Sequence, residues 1–196
     1  AQKAMALDPN DDGAGTLALQ LVDAGAPGAQ DLLKAYLAGN PSPEVRMNYA
    51  RFLLQTARNE EAREQLNLLT KSNPELADAW LVRASLDVKA KQFDAAESAL
   101  QSYIQLSEPN ASNPTTAKAL SRAYLMAAQI ATDRAQFPKA QDWLVKADKV
   151  APGDFSVSVQ QASLLAKQGE LGKARALIQS LPANSVDEQQ RKLLAD

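Results

Sequence analysis

Small and apolar residues recur along this chain at a helical spacing, and the helices they predict come in pairs. Ala50 and Ala84 stand 34 residues apart, Ala84 and Ala128 stand 44 apart, and Ala128 and Ala162 again stand 34 apart. Ala62, Ala96, Ala140 and Ala174 repeat the same three intervals, offset from the first ladder by 12 residues. That offset suits two antiparallel helices that touch through a methyl-sized side chain. A period of 34 with a small residue in each of two helices predicts an all-α solenoid of helix-turn-helix units, each burying its apolar face only against its neighbours.

Punctuation between the stripes sets the boundaries. Pro41, Pro74, Pro109 and Pro152 each follow a periodic apolar run, where a missing amide and a fixed φ end a helix at little cost. Corners inside the units are marked by Gly25-Ala26-Pro27, Arg58-Asn59, Lys91-Gln92, Gln136-Phe137-Pro138 and Gly169-Glu170. The expected repeats are 10–42, 43–76, 77–110, 114–152 and 153–184, in one solenoid over 1–196. Their helices fall near 11–24 and 27–38, 43–57 and 59–72, 76–90 and 93–107, 114–134 and 137–150, and 154–168 and 171–180. Residues 1–9 read as the tail of a preceding repeat, and 185–196 as an unpaired terminal helix.

The 44-residue step exceeds the others by ten, and the excess falls between Ser107 and Thr116. Asn113 before Pro114 is a good N-cap followed by a residue suited to the first turn. A longer loop and about two extra turns on the next helix are therefore expected. The protrusion is either a docking element or an insertion tolerated at a repeat joint, since lengthening a loop costs little.

Composition narrows the chemistry. The chain is 45% hydrophobic, 5% aromatic and 22% charged, as suits helices packed through small contacts. Its net charge of −2 comes from interspersed residues with no basic stripe, which argues against nucleic acid or an anionic membrane as partner. With no His and no Cys, imidazole bases, thiolate nucleophiles, Cys/His zinc sites and disulfides are excluded for this chain alone. Adjacent carboxylates such as Glu60-Glu61 point about 100° apart on a helix, and Glu60, Arg63 and Glu64 read as a solvated salt-bridge surface. No phosphate loop or nucleophile elbow occurs. The expectation is no catalysis, no cofactor and no metal. No apolar run reaches the ~18 residues of a membrane span, and a start at Ala1-Gln2-Lys3 reads as a processed or excised piece.

Ala95-Ala96-Glu97-Ser98-Ala99-Leu100 and the run from Lys139 to Pro152 resemble the second helix of tetratricopeptide repeats, and Ala6-Leu7-Asp8-Pro9-Asn10 is similar to the way such a repeat ends. Trp80, Ala84, Phe93, Ala96, Leu100 and Tyr103 occupy that family's large, small, aromatic, small, large and helix-end positions. The resemblance covers nearly the whole chain and implies a right-handed superhelix used as an interaction scaffold. It specifies fold strongly and function weakly. The first repeat departs from the pattern: Thr16 and Leu17 stand where a small residue belongs, and Gly13 and Gly15 weaken its first helix. The stretches Pro43–Leu54 and Ala162–Gly169 resemble exported repeat proteins of Gram-negative bacteria, which implies a periplasmic or exported segment of an envelope protein; the cytoplasm is the alternative.

In this family the first helix of each repeat lines the concave face, where a peptide or partner protein docks. Counting along the helices places Met47, Arg51, Leu54 and Gln55 there, then Leu81, Ser85 and Lys89, then Arg122, Leu125, Gln129 and Asp133, then Val159, Ser163 and Lys167. Arg51, Lys89 and Lys167 could attract an acidic partner or be ordinary solvated charges. Met47, Leu81, Leu125 and Val159 either face the partner or pack on the adjacent first helix. The Lys/Asn/Arg clamp by which some relatives hold a chaperone's carboxyl terminus is not reproduced, because Met47, Leu81 and Leu125 replace Lys and Arg51 replaces Asn. Trp80 and Trp143 read as packing residues. A second reading has the chain self-associate weakly through apolar ends, Ala4, Met5 and Leu7 at one and Leu193 and Leu194 at the other.

Overall fold

The computed structural model describes residues 11–39 and 41–181. Among them every α or β element is helical: α1 (Asp12–Asp23), α2 (Ala29–Ala38), α3 (Pro43–Gln55), α4 (Asn59–Ser72), α5 (Ala77–Lys89), α6 (Phe93–Ser107), α7 (Pro114–Asp133), α8 (Phe137–Val150), α9 (Phe155–Lys167) and α10 (Leu171–Ser180). A short 3-10 turn, Glu108–Asn110, lies between α6 and α7. The expected preceding tail, the terminal helix and the apolar ends lie outside the described residues.

Odd-numbered and even-numbered helices start in different ways, and the reason is local. Four of the odd ones, α1, α3, α7 and α9, begin at joints with a capping side chain: Asp11 accepts from the Gly13 amide at 2.9 Å, Ser42 from Val45 at 3.3 Å, Asn113 from Thr115 at 2.9 Å and Asp154 from Ser156 at 2.8 Å. Pro43 and Pro114 occupy the first turn, where no amide is needed. Helices α4, α6, α8 and α10 begin at corners without such caps. There the previous helix ends in a left-handed residue: Ala57, Lys91, Ala135 or Gly169. The next amide then reaches back to a carbonyl five residues earlier, from Arg58 to Leu53 at 2.8 Å, Gln92 to Asp87 at 2.9 Å, Gln136 to Ala131 at 2.8 Å and Glu170 to Leu165 at 2.9 Å. This closure satisfies helix-end carbonyls that would otherwise lack partners.

The chain groups into two compact units, Ala1–Leu86 and Asp87–Asp196, divided within α5. In the first, α1 packs on α2 and α3, and α3 packs on α4. Its core gathers Ala18, Leu33, Tyr49, Ala50, Leu53, Ala62, Leu66 and Leu69 with Ala79 and Leu86 of α5. In the second, α7 packs on α6, α8 and α9, and α9 also packs on α8 and α10. Leu100, Leu120, Ile130, Leu144, Val157 and Leu164 are among its fully buried aliphatics, each worth about 1.5–3 kcal/mol of burial. All eight alanines of the two ladders are buried, between 0% and 6% exposed.

The ten extra residues divide as the capping signal implies. The 3-10 turn and the loop to Asn113 take part, and α7 takes the rest, with 20 residues against 13 in α3, α5 and α9.

The first repeat needs a correction. Thr16 and Leu17 are exposed, and Ala14, Gly15 and Ala18 face inward instead. Gly15 is not merely a weak helix residue: a Cβ on it would lie 2.5–2.8 Å from three ring carbons of Tyr36. The ring therefore rests on bare helix backbone. Its hydroxyl donates to Asp12 at 2.7 Å and accepts from the Ser42 amide at 3.1 Å, tying α1, α2 and the joint before α3 together.

Candidate interaction surface

In the first unit the predicted surface residues of α3 and α5 divide by environment. Met47 is 5% exposed and belongs to the core, so packing wins at that position. Leu54, Leu81 and Ser85 are half-buried, while Arg51 and Gln55 are exposed. Arg51 approaches Asp78 on α5 at 3.8 Å, both well exposed, a contact worth under about 1 kcal/mol. Glu44 and Asn48 complete the exposed line on α3.

In the second unit the surface runs over α7 and α9, which touch. Leu125 is 7% exposed and Thr132, whose hydroxyl bonds the Ala128 carbonyl at 2.8 Å, is buried as well. Gln129 donates to Asp133 at 3.0 Å. Val159 and Ser163 are half-buried, and Arg122, Asp133, Lys167 and Lys89 are exposed. Lys118, exposed, and Gln160, half-buried, adjoin them though the repeat pattern does not single them out: Lys118 lies one turn before Arg122 on the lengthened part of α7.

Both tryptophans are half-buried packing residues with a polar role at the edge. Trp80 donates from Nε1 to the Pro74 carbonyl at 2.8 Å, and the Arg83 guanidinium lies 5.6 Å above its ring. Trp143 stacks on Tyr124, centroids 5.7 Å apart, with the Lys146 amine 4.4 Å from its own ring centre. All four tyrosines, Tyr36, Tyr49, Tyr103 and Tyr124, are buried. The Tyr124 hydroxyl donates to Glu108 at 2.7 Å; burial, and then that carboxylate, raise its pKa above the ordinary phenol value. Burial and Asp12 raise that of Tyr36 likewise.

Two of the surface depressions have charged groups at their rims. One, about 830 Å³ and open, is lined by Asp12, Pro41, Ser42, Arg46 and Lys71 among others. Its best polar groups are engaged within the fold, since Arg46 donates to the Leu37 carbonyl at 3.0 Å and to Gln65 at 2.7 Å, and Asp12 holds Tyr36. The other, about 370 Å³, lies between α6 and α8, with Leu100, Ile104 and Ala127 below and Trp143 beside it. Its rim is neutralised by the Lys139–Glu97 contact at 2.6 Å and by Arg134, which pairs with Glu97 at 2.9 Å and with Asp94. Glu60 pairs with Arg63 at 2.7 Å, as the surface reading expects. Among the described residues no acidic cluster has the makings of a metal site, and no helix is long and apolar enough to cross a membrane.

Residues 21–86 match the family model described as tetratricopeptide repeat. No curated protein matches the chain. Among solved structures, a tetratricopeptide repeat protein from Parabacteroides merdae is similar over 99% of this chain and 74% of its own, with 20% identity and a TM-score of 0.67. Pseudomonas aeruginosa PilF is similar over 99% of this chain and 85% of its own, at 17% identity and a TM-score of 0.64. A thermophilic repeat protein from Thermus thermophilus is similar over 70% of this chain and 72% of its own, at 20% identity and a TM-score of 0.52. At such identities the likeness is one of fold. The matched residues 21–86 contain the first buried alanines of both ladders, Ala50 and Ala62, and the ladders run on beyond them to Ala162 and Ala174, so the matched segment resembles tetratricopeptide repeats and the remainder carries the same buried small-residue pattern.

Proposed function

We propose that this chain is a non-catalytic scaffold that takes a peptide or partner protein on the face of its first helices, within a larger bacterial envelope protein. Tetratricopeptide repeats generally mediate protein–protein interaction and are typically not catalytic. The observation that carries the reading is the make-up of that face. Half-buried apolar residues, Leu54 and Leu81 in one unit and Val159 in the other, sit among exposed or half-exposed polar ones, Gln55 and Ser85, then Gln129 and Ser163. Amide and hydroxyl groups beside shallow apolar contacts suit a polypeptide backbone with alternating side chains better than an enclosed metabolite. The envelope setting rests on the resemblance of Pro43–Leu54 and Ala162–Gly169 to exported repeat proteins.

Photo-crosslinking in cells tests the reading. A benzophenone side chain at Ser85 or Ser163 is expected to trap a discrete partner, and one at Gln141 or Asp142 on the opposite-lying α8 is not. Adducts formed only from α8 would place the partner elsewhere and end the proposal.

A further inference from the structure

The two units differ in how their first helices carry charge, and the second unit's imbalance points to a class of partner. Helices α7 and α9 carry Lys118, Arg122 and Lys167 against one acid, Asp133, which already accepts from Gln129 at 3.0 Å. Helix α9 has no acidic residue at all. The three cations are exposed, and none is in an ion pair among the described residues. In a chain of net charge −2 this surface is locally positive.

Three other positive side chains of the unit are used differently. Arg134 and Lys139 are bound to Asp94 and Glu97. Lys146 covers the Trp143 ring, and on α8 it alternates with Asp142 and Asp148. On the α7 and α9 surface, among the described residues, Lys118, Arg122 and Lys167 have no carboxylate partner.

Geometry adds to this. Aligning Ala128 with Ala162 sets Ser121 opposite Phe155, so the first seven residues of α7 run past the start of α9 by about 10 Å. Lys118 sits on that overhang and Arg122 at its base, one turn apart on one side of the helix. From there Ser156, Gln160 and Ser163 lead along α9 toward Lys167, with Val159 half-buried among them.

We infer that this surface selects an acidic, extended peptide segment, whose carboxylates meet Lys118 and Arg122 while its backbone runs along the hydroxyls and amides of α9. The inference rests on the face proposed above and adds the partner's charge and the residues that read it. Amides and hydroxyls that alternate donors with acceptors fit a peptide backbone; a nucleic acid backbone would require a longer cationic track. Long-range attraction from uncompensated charge raises the rate of encounter, and contacts at the overhang set which end of the segment docks.

Random-peptide display on the whole protein, followed by fluorescence anisotropy of a selected peptide, provides the test. Selected sequences are expected to be rich in Asp and Glu. The Asn/Gln version of a selected peptide, and the double variant Lys118→Glu with Arg122→Glu, should each weaken binding about five- to tenfold. The control Lys146→Glu with Lys149→Glu on α8 should leave it unchanged, and a single-stranded oligonucleotide of equal charge should bind more weakly than the peptide. Peptides without an acidic excess whose binding is lost in Ser163→Arg would overturn the charge preference and leave the face standing. Binding unaffected by the Lys118/Arg122 variant, or an oligonucleotide that binds as well as the peptide, would also overturn it. No enrichment of any peptide would overturn both.

Discussion

Each unit ties one helix to a neighbouring segment through a buried tyrosine that donates to a carboxylate at 2.7 Å, Tyr36 to Asp12 in one and Tyr124 to Glu108 in the other. The surroundings differ. In the first unit the ring lies on the backbone at Gly15, and the surface cation Arg51 faces Asp78. In the second the ring stacks on Trp143, the helix is seven residues longer than its counterparts, and its cations are uncompensated. One repeat plan therefore yields a first-helix cation, Arg51, that faces an acid in one unit, and first-helix cations, Lys118, Arg122 and Lys167, that face none among the described residues in the other. The hairpin core fixes the alanines and leaves the outward positions free to diverge.

Core truncation probes the comparison most strongly. Leu53→Ala in the first unit and Leu144→Ala in the second, both fully buried, should each cost about 2–5 kcal/mol. Urea denaturation combined with amide exchange is expected to show each loss first in its own unit; equal loss of protection in both would make the two units one cooperative body.

Next comes Gly15→Val. The added side chain must displace the Tyr36 ring from its hydrogen bonds, at a cost of about 1–3 kcal/mol read from thermal melting. Combining it with Tyr36→Ala should recover part of that loss, since the ring is what the new side chain strikes.

The tyrosine anchors predict an alkaline effect of intermediate size. Folded-state pKa values of Tyr36 and Tyr124 are raised, so their stabilisation is complete below the unfolded phenol value of 10.0. It declines as pH rises above that value, because the unfolded chain releases the phenolic proton first. Tyr124→Phe should flatten that decline in the second unit and cost about 1 kcal/mol at neutral pH, measured by denaturation across a pH series. The smallest effect belongs to Arg51→Gln, under about 1 kcal/mol and reduced further by salt. A larger loss would show that the Arg51–Asp78 contact organises the first unit's surface, and the contrast in charge would then be partly structural.

Exposure along the candidate surface follows the helical count at the polar positions, and packing decides two of the apolar ones that the count leaves open. Arg51, Gln55, Asp133 and Lys167 are exposed as the helical count requires. Met47 and Leu125 share that count and are buried, because whether an apolar side chain faces a groove or a neighbouring helix depends on the spacing between helices. Ala57, Lys91 and Ala135 show a related limit. They take the left-handed corner that glycine takes at Gly169, and only hairpin packing makes a residue with a Cβ accept it.

The amino-acid order by itself determined the helices, their pairing and the long α7, because small-residue period, proline joints and the Asn113 cap act within one or two turns of chain. Tertiary structure alone decided that Gly15 is a seat for Tyr36, that Met47 and Leu125 belong to the core, and that Lys118 and Arg122 stand unpaired while Arg51 does not. Those outcomes depend on distances between residues far apart in the chain, which no local preference encodes.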